Sequence, residues 1–217
     1  MQDKKKVLAV DLDGTLLRSD LLFESVCYKL SMSFFYLFQI IKWLFSGKAN
    51  LKARLADGFE FDPALLPFRR SVIDFIEQGR NNGAHTVLIS ASNEHLVSKI
   101  AEFLECFDEA FGSDDKINLK GVNKAKFLVD RYGVNGFDYI GDSIADIPVW
   151  KEADKVLIAG ASKRVIEKVS NIFSYHECIE EPLNSKISYV KILRPHQWLK
   201  NLLVFAPLIA AHSIKLE

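Results

Sequence analysis

Cysteine is scarce in this chain: Cys27, Cys106 and Cys178 are an odd number, widely spaced and without a C-x-x-C pair. Neither a disulfide framework nor a zinc site is indicated, and a reducing, cytoplasmic setting is the simpler expectation. Net charge is missing as well. Lys+Arg and Asp+Glu both number 28, so there is no field to gather nucleic acid and no long charge run to suggest a polyanion groove. No apolar run reaches the roughly 20 residues that span a bilayer. The start, Met-Gln-Asp-Lys-Lys-Lys, leads into an apolar run too short for a secretory h-region, which argues against export of this end. No internal repeat or low-complexity segment occurs. At 217 residues the chain is long enough for a medium domain with a smaller one or an insertion.

What is present is alternation. Residues 7–10, "VLAV", read as a buried strand, and residues 19–45 form long helical stretches without proline or glycine, stopped by Gly47. A further helical piece is expected near residues 48–57. The spacing predicts a helix over residues 68–78 ending at Gly79, a strand over 86–89, a helix over 94–104 and a short strand within 107–112. A helix over 121–132 and strands in "FDYIGDS" and "KVLIAG" follow. Strands alternating with helices of about ten residues argue an α/β fold, a doubly wound parallel sheet with βαβ crossovers. Ligands bind such sheets at the carboxyl ends of the strands. Three strand ends here carry Asp11 and Asp13, Ser90, and Asp142, so polar residues from distant segments converge on one edge.

The stretch "VLAVDLDGTLL" ends a strand on two carboxylates. A carboxylate at a rigid strand terminus is well placed as a nucleophile, and Asp13, two residues on, could protonate a leaving oxygen and then activate water. Two carboxylates this close call for a cation, and Mg²⁺ suits oxygen ligands and phosphate chemistry. The plain alternative is an acidic Asp-Gly turn. A calcium loop does not fit, because D-x-[DN]-x-[DN]-G is not met. "YIGDSIADIP" repeats the logic: Asp142 at the strand end could ligate the metal, with Asp146 four residues on behind it. The alternative there is a helix N-cap by Asp142 or Ser143.

Together, D-x-D-G-T at the first strand and G-D-x-x-x-D near the fourth resemble the haloacid dehalogenase superfamily over residues 7–160. The resemblance implies a HAD-like, Rossmann-type sheet with an inserted helical cap. Residues 1–18 and 68–178 would form the core, 19–67 the cap and 179–190 a linker. It implies Asp11 as phosphorylated nucleophile and metal ligand, Asp13 as acid/base and metal ligand through its backbone carbonyl, and Asp142 as the remaining carboxylate on Mg²⁺. Ser90 would hold phosphoryl oxygens. The family also uses a lysine; Lys120 is favoured, because in the phosphoserine-phosphatase branch the lysine precedes a helix-opening glycine, as Gly121 is here, and Lys124 is the alternative. Ala145 and Ser92 depart from that branch, which often has Asn and Gly there.

The inserted segment is unusually apolar: in "SFFYLFQIIKWLF" ten of thirteen residues are apolar or aromatic. It is too short to span a bilayer, which takes about 20 residues. Either cap helices pack on one another, or this surface lies on a membrane or grips a lipid tail. Near the end, Lys191, Arg194 and Lys200 precede the uncharged residues 202–211, a pattern expected at the cytoplasmic flank of a membrane segment; a surface amphipathic helix is the alternative. "LRPHQWLKNLLVFAPL" resembles the opening of UbiA-like membrane prenyltransferases of the decaprenyl-phosphate phosphoribosyltransferase kind, so residues 191–217 would begin a membrane region.

The resemblances together imply a Mg²⁺-dependent phosphomonoester hydrolase at the cytoplasmic face of a membrane. Its substrate would be a polyprenyl-phosphoryl phosphoribose or a similar lipid-linked phosphosugar, with no nucleic-acid partner. A soluble phosphatase for a small metabolite and a non-catalytic regulatory or anchoring domain are the rival readings.

Overall fold

A computed structural model describes residues 6–33, 35–46, 51, 54–55, 61–114 and 117–180. The first strand, β1 (Val7–Asp11), is buried along its whole length. It leads through a wide turn into α1 (Leu21–Met32) and α2 (Tyr36–Phe45). Then come α3 (Arg70–Asn81), β2 (His85–Asn93), α4 (Glu94–Leu104), β3 (Glu109–Ser113), α5 (Val122–Tyr132) and β4 (Phe137–Gly141). The short α6 (Ile147–Trp150), β5 (Val156–Ile158), α7 (Lys163–Ile172) and β6 (Glu177–Cys178) are the last elements among the described residues.

Among the described residues six strands form one sheet in the order β3-β2-β1-β4-β5-β6, and every pairing in it is parallel. This is the α/β doubly wound architecture expected from the alternation of elements. Side chains alternate across a strand. Val7, Ala9, Val87, Ile89, Phe137 and Tyr139 therefore share one face and pack with Leu128, Val149 and Trp150 from the helices. Leu8, Val10 and Leu88 have the opposite parity and are also buried. A strand buried on both faces has no need of polar alternation, which is why "VLAV" and "TVLI" read as continuous apolar runs.

Several boundaries differ from expectation. The helical stretch of residues 19–45 is two helices: Ser33 breaks it, its hydroxyl accepting from Phe35 N–H at 3.3 Å and its carbonyl from Tyr36 N–H at 3.1 Å. The third helix passes through Gly79 to Asn81, because that glycine packs against β1; a Cβ there would lie 3.3 Å from Leu8 Cδ2. The second strand continues past Ile89 to Asn93, carrying Ser90 inside it. Both α7 and β6 went unanticipated.

Chain contacts divide the protein into two compact units, one drawn from Met1–Phe23 and Glu60–Glu181, the other from Glu24–Phe59 and Pro182–Glu217. The described part of the second unit is residues 24–33, 35–46, 51 and 54–55. No residue of α2 is buried. Gly47, residues 181–190 of the linker, the basic-then-apolar tail and most of the helical piece at 48–57 lie outside the described residues, although 51, 54 and 55 are helical. Among the described residues no helix is long and apolar enough to cross a membrane.

Candidate active site

The sheet order sets the site. β1 lies between β2 and β4, with Asp11 opposite Ile89 on one side and Val10 opposite Ile140 on the other. The carboxyl ends of three neighbouring strands thus meet, and they bring Asp11, Ser90 and Asp142 together as the sequence motifs required.

After Asp11 the chain makes a turn closed by Leu17 N–H donating to Leu12 O at 2.8 Å. Gly14 lies within it at φ +80°, and a Cβ at this position would sit 2.3 Å from Asp142 Oδ2. The glycine of D-x-D-G-T is therefore required twice, for its left-handed backbone and for close passage beneath the acid of the other motif. Arg69 braces the same turn, donating from Nε to Thr15 O at 3.0 Å and from Nη2 to Gly14 O at 3.2 Å.

Asp11 Oδ1 accepts a hydrogen bond from Lys124 Nζ at 2.6 Å, and both side chains are buried. Lys120, the lysine favoured from the sequence, is exposed and lies before the helix. The reason is helical phase. Gly121 caps the helix at φ 57°, so Lys124 falls one turn in, on the buried face with Ala125 and Leu128. Lys124 also donates to Tyr139 Oη at 3.0 Å, and Tyr139 in turn donates to Asp146 Oδ1 at 2.8 Å.

Asp146 is held from both sides. Besides Tyr139 on Oδ1, its Oδ2 accepts from Ser143 N–H at 3.0 Å, Ser143 Oγ–H at 2.9 Å and Asp142 N–H at 3.3 Å. Its oxygens are thus engaged in fixing the turn that presents Asp142. Asp142 itself is more open, with Thr15 Oγ1 donating to Oδ1 at 3.5 Å.

Asp13 is held by three donors. Leu21 N–H meets Oδ1 at 2.8 Å, while Ser90 Oγ and Ser92 Oγ meet Oδ2 at 2.9 and 2.7 Å. Ser90 is fully buried and also accepts from Ser92 N–H at 2.9 Å. Sequence reasoning located Ser90 but missed the grip of Ser92 on Asp13, the Arg69 brace and the Tyr139 bridge. Ser92 was visible as a departure from glycine; nothing in the order of residues ties Arg69 or Tyr139 to the site.

Asp11, Asp142 and Asp146 each offer a carboxylate oxygen, and these atoms all lie within 4.8 Å of one another. Burial pushes the Asp11 carboxyl up to about 8 against the pull of Lys124, with Asp146 and Asp13 adding to the rise. Burial and the adjacent Asp146 push Asp142 up to about 7. The cluster is short of positive charge, and its donors are all oxygen. That is the environment a hard divalent cation such as Mg²⁺ fits, with Asp11 and Asp142 facing it.

A linkage prediction follows from these shifts. Unfolded aspartates release their protons near pH 4, whereas the folded chain keeps protons on Asp11 and Asp142 up to about 8 and 7. Over that window the native state binds more protons, so stability falls as pH rises. In EDTA, thermal unfolding should occur at lower temperature at pH 8 than at pH 6, on the order of 2 kcal/mol or about 5 °C. Mg²⁺ should restore more at pH 8, where the carboxylates are free of protons. Calorimetry at both pH values checks this; an Asp11→Asn/Asp142→Asn variant with the same pH slope as the parent would rule the cause out.

The profile of the haloacid dehalogenase-like hydrolases matches residues 8–151. The uncharacterized protein y4nM of Sinorhizobium fredii is 34% identical over 207 residues, 95% of this chain, and the chain spans 40% of its length. Among solved structures, apo phosphoserine phosphatase superposes with a TM-score of 0.56 at 19% identity, covering 86% of this chain and 98% of that one. A protein of unknown function from Bordetella pertussis Tohama I gives a TM-score of 0.59 at 12% identity, covering 81% and 98%. At such identities the two structures speak for the fold alone.

Proposed function

Because the chain belongs to the haloacid dehalogenase-like hydrolase family, we propose that it is a Mg²⁺-dependent phosphomonoester hydrolase acting through an aspartyl-phosphate on Asp11. The observation that carries this is the Lys124 ammonium, 2.6 Å from Asp11 Oδ1, inside a carboxylate cluster at the end of the central strand.

Asp11 attacks phosphorus, and the bond to the leaving oxygen breaks as Asp13 delivers a proton to it. Asp13, now a carboxylate, takes a proton from water; the hydroxide attacks phosphorus and frees Asp11 with release of inorganic phosphate. Lys124 holds the nucleophile in place and offsets charge beside it. Ser90, whose hydroxyl rests on Asp13 in this structure, turns to a phosphoryl oxygen when substrate arrives. Asp11, Asp142 and the Asp13 carbonyl would hold Mg²⁺, which would supply positive charge beside the phosphate. Asp146 and Tyr139 act by fixing Asp142 and Lys124.

For the substrate we propose a lipid-linked phosphosugar, a polyprenyl-phosphoryl phosphoribose or a close analogue, met at the cytoplasmic face of a membrane. Support comes from the resemblance of residues 193–208 to UbiA-like prenyltransferases, whose product would then be dephosphorylated next door.

The test is phosphate release with Mg²⁺ from an aryl phosphate, phosphoserine, ribose 5-phosphate and a short-chain prenyl-phosphoryl phosphoribose. Turnover of the lipid-linked sugar well above the soluble esters is expected. Preference for phosphoserine would select the small-metabolite reading, and inertness toward every ester would select a non-catalytic domain.

A further inference from the structure

The second unit carries a surface that the hydrolysis reaction does not use. Helix α2 leaves Ile41, Leu44 and Phe45 exposed at 45%, 54% and 88%, and Phe35 just before it at 76%. A ten-residue helix with no buried residue thus leaves much of its apolar area open to solvent.

Charge supplies the second observation. In a chain of balanced charge, residues 25–56 contain five basic residues, Lys29, Lys42, Lys48, Lys52 and Arg54, and no acidic one. Beside the apolar face lies an open cleft of about 500 Å³ lined by Gln39, Lys42, Trp43, Ser46 and Arg54. Two cations, an amide, a hydroxyl and an indole suit a phosphate-bearing headgroup, while the adjacent apolar face suits acyl chains.

We infer that α2 and this cleft form a docking surface for an anionic phospholipid membrane. The helix lies in the plane of the interface, with Ile41, Leu44 and Phe45 among the acyl chains and Lys42 and Arg54 at headgroup phosphates. A second copy of the chain is the poorer occupant, since two such surfaces would oppose their own positive charge. The inference stands apart from the phosphatase reading, because none of these residues belongs to the aspartate site.

The experiment uses the whole 217-residue chain with vesicles of phosphatidylcholine alone or with about 30% phosphatidylglycerol. Sedimentation with the anionic vesicles is expected, at least about tenfold above neutral ones. Ile41→Asp/Phe45→Asp should weaken it by about 100-fold or more, and Lys42→Glu/Arg54→Glu should remove the preference for anionic lipid. Because residues beyond 180 could also meet lipid, the local readout is a fluorophore on Phe45→Cys in a Cys27→Ser/Cys178→Ser background. Lipids brominated in their acyl chains should quench it, and should leave the same probe on Val134→Cys bright.

An unquenched probe at position 45, or a double variant that sediments like the parent, overturns the inference. So does concentration-dependent dimerisation that Ile41→Asp/Phe45→Asp abolishes, which would assign the face to a second copy. Asp11→Asn should bind vesicles like the parent, so failure of docking and failure of hydrolysis can be told apart.

Discussion

Asp11→Asn should reduce Mg²⁺-dependent phosphate release by at least about 10⁴-fold, the scale of losing a covalent nucleophile. The substitution keeps the shape of the side chain and still offers Lys124 an oxygen. It removes one of the carboxylates that crowd the buried cluster, so the fold should survive with an unfolding temperature within a few degrees of the parent. Single-turnover assays with a labelled phosphate ester measure the first effect, and should trap phosphoprotein in the parent and none in the variant. Residual activity above about a tenth of the parent in a folded variant would remove Asp11 from the proposed mechanism.

Lys124→Met should lower phosphate release by about 10²-fold or more and cost about 3 kcal/mol of stability, whereas Lys120→Ala should leave both nearly unchanged. The asymmetry comes from burial: Lys124 lies against Asp11 at 2.6 Å and Asp146 at 3.8 Å, and Lys120 is exposed. Burial opposes the charge on Lys124, yet Asp11 and Asp146 together hold its pKa above the usual lysine value, so the ammonium stays charged through neutral pH. Removing it leaves carboxylates facing one another, and the loss of stability should shrink when Mg²⁺ is added. Chemical denaturation with and without Mg²⁺, run beside activity for both variants, separates the two lysines. The reverse pattern would return Lys120 to the site.

The strand-end acids were legible because their positions depend only on where a buried strand stops. Apolar runs ending at Asp11 and Asp142 declare that boundary, and a parallel sheet brings the carboxyl ends of neighbouring strands to one edge. The lysine was harder. Choosing between two candidates four residues apart requires the first residue of α5, and one turn of helix separates an exposed position from the centre of the site. Ser92 and Arg69 were out of reach for another reason: their partners are Asp13 and backbone carbonyls of the Asp13 turn, far away in sequence. The continuation of α3 past Gly79 was hidden because a glycine reads as a stop until its close contact with Leu8 is seen.

The placement of β1 between β2 and β4 also bears on how the chain is made. Of the six strands described, β1 leaves the ribosome first, and the partner for its second edge is β4, residues 137–141, synthesised long afterwards. Until then the apolar "VLAV" edge has unpaired backbone groups on that side, the kind of edge that invites association with other chains. Asp142, which accepts the Thr15 hydroxyl, is translated 127 residues after it. A nascent chain halted before β4 would hold Asp11 and the D-G-T turn without the partner strand and Asp142, so the aspartate cluster is completed only once β4 has emerged.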